Sequence, residues 1–402
     1  MKPGSSSKRS RPVRLAYDIL KLSAGGLNGG IKPHHFAFLR HFSEHHQRDL
    51  ELHVFCQSEL VPELSFLSAN PCNQIHVLGS RHDFDFRKSD GSLPPLHFWP
   101  HLDGGFLEKW GIDALYGGFG DSRLASPTTP QISLLVDVLH RDRPDDLPPH
   151  VAKQRDIDYR NAIAQSDLIQ TNSQFCIDSL HRHFEIPKER LFSIYLPLNH
   201  RFDNVEIGSL PSSLSNLPHR FFLYPANYWP HKNHLRLLEA YAAYRKACPE
   251  TPHALALTGN PGETESQIRV LAQKLGIESH VHFLGHSDLP AFIALYELSA
   301  AVIFPSLYEG FGIPILEACH FQKPLACSAI ASLPEIAPPQ ALLFDPQNTQ
   351  EIAQALLALH QDPDQYRPTP DHLKTFHFPT EAEKLKIRIL QVASAVPTAK
   401  TT

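Results

Sequence analysis

Ala301-Val302-Ile303-Phe304-Pro305-Ser306-Leu307-Tyr308-Glu309-Gly310-Phe311-Gly312-Ile313-Pro314-Ile315-Leu316-Glu317 reads as a buried strand, a glycine turn and the start of a helix. The short apolar run at 301–304 suits a parallel strand covered on both faces. Gly310 and Gly312 allow a sharp turn and a close backbone approach to a ligand. Pro314 fits the first helical turn, where its missing N–H is not needed. Glu309 therefore sits on the loop leaving the strand, and Glu317 about one turn into the helix. In an open α/β sheet that loop is where ligands bind.

The same alternation extends outward in both directions. Phe221 to Tyr224, Ala254 to Gly259, Val281 to Gly285 and Leu325 to Cys327 read as further strands, with amphipathic helical stretches between them. Upstream, Val13 to Asp18, His53 to Cys56, Ile132 to Val136, Leu168 to Thr171 and Leu191 to Leu196 repeat the pattern. Strands alternating with helices indicate doubly wound parallel sheets. The expected organisation is a basic arm over 1–12, an N-terminal Rossmann-like acceptor domain over 13–203 and a polar linker over 204–219. A C-terminal Rossmann-like donor domain follows over 220–378, then a helix over 379–393 that returns to the N-terminal domain, and a tail over 394–402. The fold class is α/β, two domains facing each other across a cleft.

Two more turns carry chemistry. Ala24-Gly25-Gly26-Leu27-Asn28-Gly29-Gly30 links the first strand to a helix over Pro33 to His46. Its glycines suit a phosphate at a helix N-terminus, but their spacing is not that of a dinucleotide fold. Pro225-Ala226-Asn227-Tyr228-Trp229-Pro230-His231-Lys232-Asn233 also joins a strand to a helix, placing the Lys232 ammonium beside a helix N-terminus.

Composition narrows the function. Of 402 residues, 42% are apolar and 20% charged, as in soluble globular proteins. A net charge of −5 argues against a nucleic-acid binder. No apolar stretch approaches the ~20 residues that cross a bilayer. The first 14 residues lack the apolar core of a secretory signal. Their cations Lys2, Lys8, Arg9, Arg11 and Arg14 offer an electrostatic tether to anionic lipid. The six scattered cysteines read as reduced thiols, which points to the cytoplasm. The 26 histidines read as a bias on solvated faces. Asp83-Phe84-Asp85 and Asp156-Ile157-Asp158 follow no convincing strand and read as surface acids rather than metal ligands.

Taken together, these motifs resemble the retaining glycosyltransferases of family 4, which have the GT-B fold. The segment at 225–233 is similar to the family's donor-phosphate turn. Ser306 to Ala318 is similar to its Glu-x7-Glu element, and Ser332-Leu333-Pro334-Glu335 and Ala341 to Pro346 to the segments after it. The resemblance implies that Glu309 contacts the donor sugar near the anomeric carbon and that Glu317 holds the ribose hydroxyls. It implies that Lys232 balances the departing diphosphate, assisted by Asn227, His231, the turn residues Gly310, Phe311 and Gly312, and Gly29 and Gly30 from the opposite domain. Two departures stand out. Relatives often carry an arginine where this chain has Ala226, so Lys232 and helix dipoles must stabilise the leaving group alone unless Arg220, His231 or a residue from elsewhere assists. Val136-Asp137-Val138-Leu139-His140 resembles a His-Asp-x-x-His stretch whose first histidine is Val136, leaving Asp137 and His140 as cleft candidates.

The implied activity is a metal-independent hexosyl transfer with no cofactor, from a GDP-, UDP- or dTDP-linked sugar to a glycan or lipid-linked acceptor, with retention. The Trp-Pro-His-Lys-Asn wording favours mannose or rhamnose and cell-surface polysaccharide synthesis. The acceptor is expected near Lys32 to Phe36 and Phe98 to Phe119. The rival readings are a GT-B nucleotide-sugar epimerase, a pyridoxal-dependent phosphorylase, for which the chain is short, and a non-catalytic sugar-nucleotide-binding partner of another transferase.

Overall fold

Short buried runs, most of four to six residues, build two all-parallel sheets in the computed structural model. It describes residues 11–23, 30–79, 93–99, 101, 105–196, 198, 202, 214, 217–260, 262 and 264–395. The first sheet has eight strands: β1 Val13–Asp18, β2 Leu50–Gln57, β3 Gln74–Leu78, β4 Leu96–Trp99, β5 Ala114–Gly117, β6 Gln131–Leu134, β7 Leu168–Thr171 and β8 Leu191–Ser193. Their order is β4-β3-β2-β1-β5-β6-β7-β8. The second has six: β9 Phe221–Pro225, β10 Ala254–Thr258, β11 Val281–Gly285, β12 Ala301–Phe304, β13 Leu325–Ser328 and β14 Leu342–Phe344, in the order β11-β10-β9-β12-β13-β14. In each sheet the chain reverses its winding direction beside the first strand, at β1/β5 and at β9/β12. Those switch points open the crevice where ligands bind.

Local chemistry sets the helix starts. Ser173 Oγ accepts from the Cys176 amide at 3.2 Å and caps the helix Gln174–Phe184. Asp288 and Asn348 cap Leu289–Leu298 and Thr349–Gln361 in the same way. The last helix, Phe378–Ser394, leaves the second domain and buries Ala382, Leu385, Ile389 and Val392 in the core of the first. No helix among the described residues is long and apolar enough to cross a membrane.

Two expectations change. Arg11 and Arg14 are not free tether cations: Arg11 pairs with Asp113, just before β5, at 2.7 Å and Arg14 with Glu51 on β2 at 3.1 Å. Nor are the histidines mainly solvated, since His34, His35, His53, His76, His140, His234 and His253 are buried. A neutral imidazole packs like an aromatic ring and satisfies two polar neighbours. His35 donates from Nε2 to the Gly118 carbonyl at 2.7 Å, so its Nδ1 accepts from Tyr17 at 2.9 Å. Trp99 donates to His76 Nδ1 at 3.2 Å, which makes His76 Nε2 the donor to His53 Nδ1 at 3.0 Å. His53 in turn donates to Glu51 at 3.1 Å.

Protonating either acceptor nitrogen breaks a buried hydrogen bond. Burial lowers His35 from 6.5 to about 4 and His76 to about 2. A base whose folded pKa lies below its unfolded value stabilises the fold above that unfolded value and progressively less as the pH falls below it. Each such histidine withdraws roughly 1.4 kcal/mol per pH unit below about 6.5. Calorimetry between pH 7 and 5 is expected to show a falling melting temperature, with a shallower slope in His76→Gln; equal slopes would contradict this account.

Candidate active site

Two turns of the second domain are laced together, and the lacing aims two charges at each other. The first turn follows β9. The Tyr224 hydroxyl donates to the Lys232 carbonyl at 2.5 Å, and Asn233 adopts a left-handed conformation with φ 63°. From there the Asn233 amide reaches the carbonyls of Pro305 at 3.0 Å and Pro346 at 2.8 Å. The second turn follows β12, and its Leu307 N–H donates to the His231 carbonyl at 2.7 Å. The Ser332 hydroxyl lies 2.9 Å from the carbonyls of both Glu309 and Phe311, bracing the glycine turn from beneath. Gly312 opens the helix Ile313–His320 at φ 106°, and a Cβ there would meet Leu333 Cδ2 at 2.6 Å. Only glycine fits.

The outcome is an ion pair between Lys232 Nζ and Glu309 Oε1 at 2.6 Å, with side chains 17% and 12% exposed. Removing one member strands the other charge, at roughly 3 kcal/mol. Lys232→Met is therefore expected to lower the melting temperature, and adding Glu309→Gln to recover part of the loss. A double-mutant cycle showing no coupling would remove the pair from the account.

The first domain closes against this turn. Gly310 packs so tightly that a Cβ would meet the Val136 carbonyl at 2.5 Å and Asp137 Cβ at 2.8 Å. The Val138 N–H donates to the Tyr308 hydroxyl at 2.8 Å, and the Ser173 hydroxyl donates to the Gly310 carbonyl at 2.8 Å. Glu335 accepts from the Gln174 and Phe175 amides at 2.8 and 3.2 Å and from the Tyr195 hydroxyl at 3.0 Å. A carboxylate of one domain thus caps a helix of the other, a favourable match of charge and helix dipole. Nearby, Gly30 opens the helix Ile31–His45 and a Cβ on it would meet Ile313 Cδ1 at 2.6 Å. The N-termini of one helix from each domain so converge at one spot, and both favour an anion. Because Gly310 has no positive φ, Gly310→Ala tests contact alone. It is expected to open the interface, raising the small-angle scattering radius of gyration; an unchanged radius would show that the domains do not need this approach.

Asp137 stands on the first domain's side. Burial pushes its carboxyl up, but Arg155, at 2.8 Å, and the Leu139 amide outweigh this and hold it below the usual carboxylate value. His231 feels Asp137, Arg143 and Arg155 across the cleft, and burial with Lys232 lowers it to about 3. It is a neutral ring whose buried Nδ1 has no hydrogen-bond partner among the described residues.

Other expected residues lie elsewhere or serve differently. His140 is buried edge-on against Tyr159, with ring centroids 4.8 Å apart, and Asp156 lies 3.7 Å from its Nε2. Burial lowers it to about 4. It stands in the short helix Leu139–Asp142 that follows Asp137. Asn227 spends its carbonyl on the Asn260 amide at 2.8 Å. Phe311 buries its ring beside Tyr195 and Phe376. Glu317 is 3% exposed and accepts from the Tyr296 hydroxyl at 2.7 Å. Arg220 cannot assist Lys232, because it precedes β9 while Lys232 follows it. Asp156 and Asp158 lie on the helix Pro149–Gln165, Asp156 pairing with Arg160 and Arg141 and Asp158 with Gln154. Gly29, the Asp83 pair and most of the linker fall outside the described residues.

The acceptor expectation divides in the same way. Lys32 pairs with Glu63 at 2.7 Å and Phe36 packs on Phe66, whereas Pro33 and His34 line a cavity of about 420 Å³ running from Gly30 and Ile313 to Phe378. In the 98–119 stretch, Trp99, Phe106 and Trp110 pack around His76 under the far edge of the first sheet. They are core there, not cleft. Sequence reading passed over Tyr308, Ser173, Ser332 and Glu335 as contributors, since their contacts join segments far apart in the chain. The Ser-Leu-Pro-Glu wording at 332–335 hinted at two of them, Ser332 and Glu335.

Residues 210–374 match the family described as Glycosyl transferases group 1. The C-terminal domain belongs to the group 1 glycosyl transferases. The chain is 31% identical over 224 residues to the serotype-specific mannosyltransferase WbdA of Escherichia coli, covering 53% of this chain and 27% of that protein. It is 28% identical over 207 residues to the Escherichia coli O-antigen chain mannosyltransferase B, covering 50% and 53%. The chain thus spans between a quarter and about half the length of these relatives. A glycosyltransferase structure from Rickettsia africae superposes with a TM-score of 0.63 over 95% of this chain and 99% of its own, at 15% identity. The fold is GT-B.

Proposed function

We propose that the protein transfers a hexosyl group, mannose or rhamnose, from a nucleotide diphosphate donor to a glycan or lipid-linked acceptor of cell-surface polysaccharide, with retention and without a metal ion. The observation that carries this reading is the Lys232–Glu309 pair, set beside the meeting point of two helix N-termini from opposite domains. An ammonium and two helix dipoles supply the positive field that a departing diphosphate requires, and preorganised charge of this kind dominates such steps. The mannosyltransferase relatives support the sugar class and the polysaccharide setting.

In this mechanism the diphosphate enters between Gly30, at the start of the helix Ile31–His45, and the amides of Phe311 and Gly312, and takes Lys232 from Glu309. The freed Glu309 carboxylate accepts from donor-sugar hydroxyls and offsets positive charge growing on the ring. Ribose hydroxyls share Glu317 with Tyr296. Neutral His231, with an unpartnered nitrogen beside Lys232, takes the place the family gives to the cation missing at Ala226 by donating to a phosphate oxygen. Asp137, held ionised by Arg155, fixes the wall against which Gly310 closes. The leaving phosphate oxygen deprotonates the acceptor hydroxyl on the same face, so the anomeric configuration is kept. The acceptor enters by the cavity along Ile31–His45. The enzyme works in the cytoplasm, with the basic arm as a contact to the inner membrane face.

The test is turnover of GDP-mannose, GDP-rhamnose, UDP-sugars and dTDP-rhamnose with and without EDTA. Turnover of one donor, unchanged by EDTA, is expected, and Glu309→Gln or Lys232→Ala is expected to lower kcat by about 10²–10³-fold. Donor binding without turnover of any donor would favour the non-catalytic binding reading.

A further inference from the structure

Arg220 has no place in the donor site, and its surroundings give it another. It lines a hollow of about 430 Å³ with His219, His253, Lys323, His360 and Arg367, at the N-terminal ends of β9, β10 and β12. The five residues of β9 separate this end from the Lys232 turn by roughly 16 Å. No carboxylate contributes to the hollow's lining among the described residues. That is unusual in a chain whose net charge is −5.

Two of the cations have partial structural work. Lys323 donates to the Glu297 and Ser299 carbonyls at 2.7 and 3.1 Å, closing the end of the helix Leu289–Leu298. Those bonds use two of its three donors, and the Glu297 carboxylate offsets only part of what burial and Arg367 do to its charge. Arg367 pairs one edge with Asp364 at 2.6 Å and donates to the Gln322 carbonyl at 2.7 Å. Arg220 has no ion pair and no side-chain hydrogen bond among the described residues. The groups feel one another: burial and then Arg367 lower Lys323, while burial and then Arg220 lower His360. Helix capping accounts for Lys323 but not for Arg220, nor for the gathering of like charges around one concavity. An anion in the hollow relieves that repulsion and meets donors from three directions.

We infer that this hollow is a second anion site, taking a phosphate-bearing group separate from the donor diphosphate. The group belongs either to a free phosphorylated metabolite or to an anionic lipid headgroup. Inorganic pyrophosphate probes the first source, titrated calorimetrically into Lys232→Ala so that the cleft contributes least. Vesicles of phosphatidylglycerol in phosphatidylcholine probe the second, by co-flotation of the full chain. The charge reversal Arg220→Glu, at an exposed position, is added in both arms, with circular dichroism confirming the fold. A pyrophosphate affinity that persists in Lys232→Ala and falls at least about tenfold with Arg220→Glu supports the site and a soluble ligand. Flotation that needs phosphatidylglycerol and is lost in Arg220→Glu supports the site and a headgroup. If neither pyrophosphate binding nor flotation responds to Arg220→Glu, the inference is overturned.

Discussion

Two turns that leave neighbouring parallel strands must be held at a fixed separation for Lys232 and Glu309 to meet. Asn233 does most of this, since its left-handed backbone and its amide join the β9 turn to the end of β12 and to Pro346. A largely buried ion pair is a weak source of stability, because desolvation consumes much of the attraction. It is, however, a store of two oriented charges. A diphosphate separates them, gaining the ammonium for itself and leaving the carboxylate for a sugar. The pairing keeps both side chains ordered, so little rotamer freedom is lost when a donor binds.

The interface between the domains is built from backbone groups met by single side chains of the other domain. Glu335 caps a helix across the gap, Tyr308 accepts a backbone amide, and Ser173 meets the Gly310 carbonyl. Such contacts depend on angle and distance rather than on area, so they form together or not at all. They also surround Glu309, so closure and arrangement of the reacting groups are one event. Removing water at that moment strengthens every charge interaction inside.

Much of this was legible in the sequence, and the failures have physical causes. The strand at Ala301 to Phe304 and the glycine turn after it were visible because burial on both faces demands an apolar run and the turn demands glycine. Gln74–Leu78, Leu96–Trp99 and Ala114–Gly117 were not read as strands. The first two carry His76 and His97, whose polarity breaks the apolar pattern until their neutral, stacked state is seen. The third ends in glycine within an aromatic stretch that resembled a binding loop. The motif at 136–140 gave order along the chain and not surroundings, so the packing of His140 against Tyr159 was not legible. Arg220 fails for the opposite reason: only eleven residues lie between it and Lys232 in sequence, yet an intervening strand sends the two to opposite ends of a sheet.

The last helix carries a consequence for how the molecule is made. Ala382, Leu385, Ile389 and Val392 complete the core of the domain whose strands lie within the first 193 residues. When the ribosome has finished those strands, the apolar face awaiting the helix has nothing to cover it. It stays uncovered while the whole second domain is synthesised, and that domain can fold as a unit in the meantime. The first half of the chain is thus the first to be translated and the last to be sealed. During that interval its exposed apolar face is the surface a chaperone would guard.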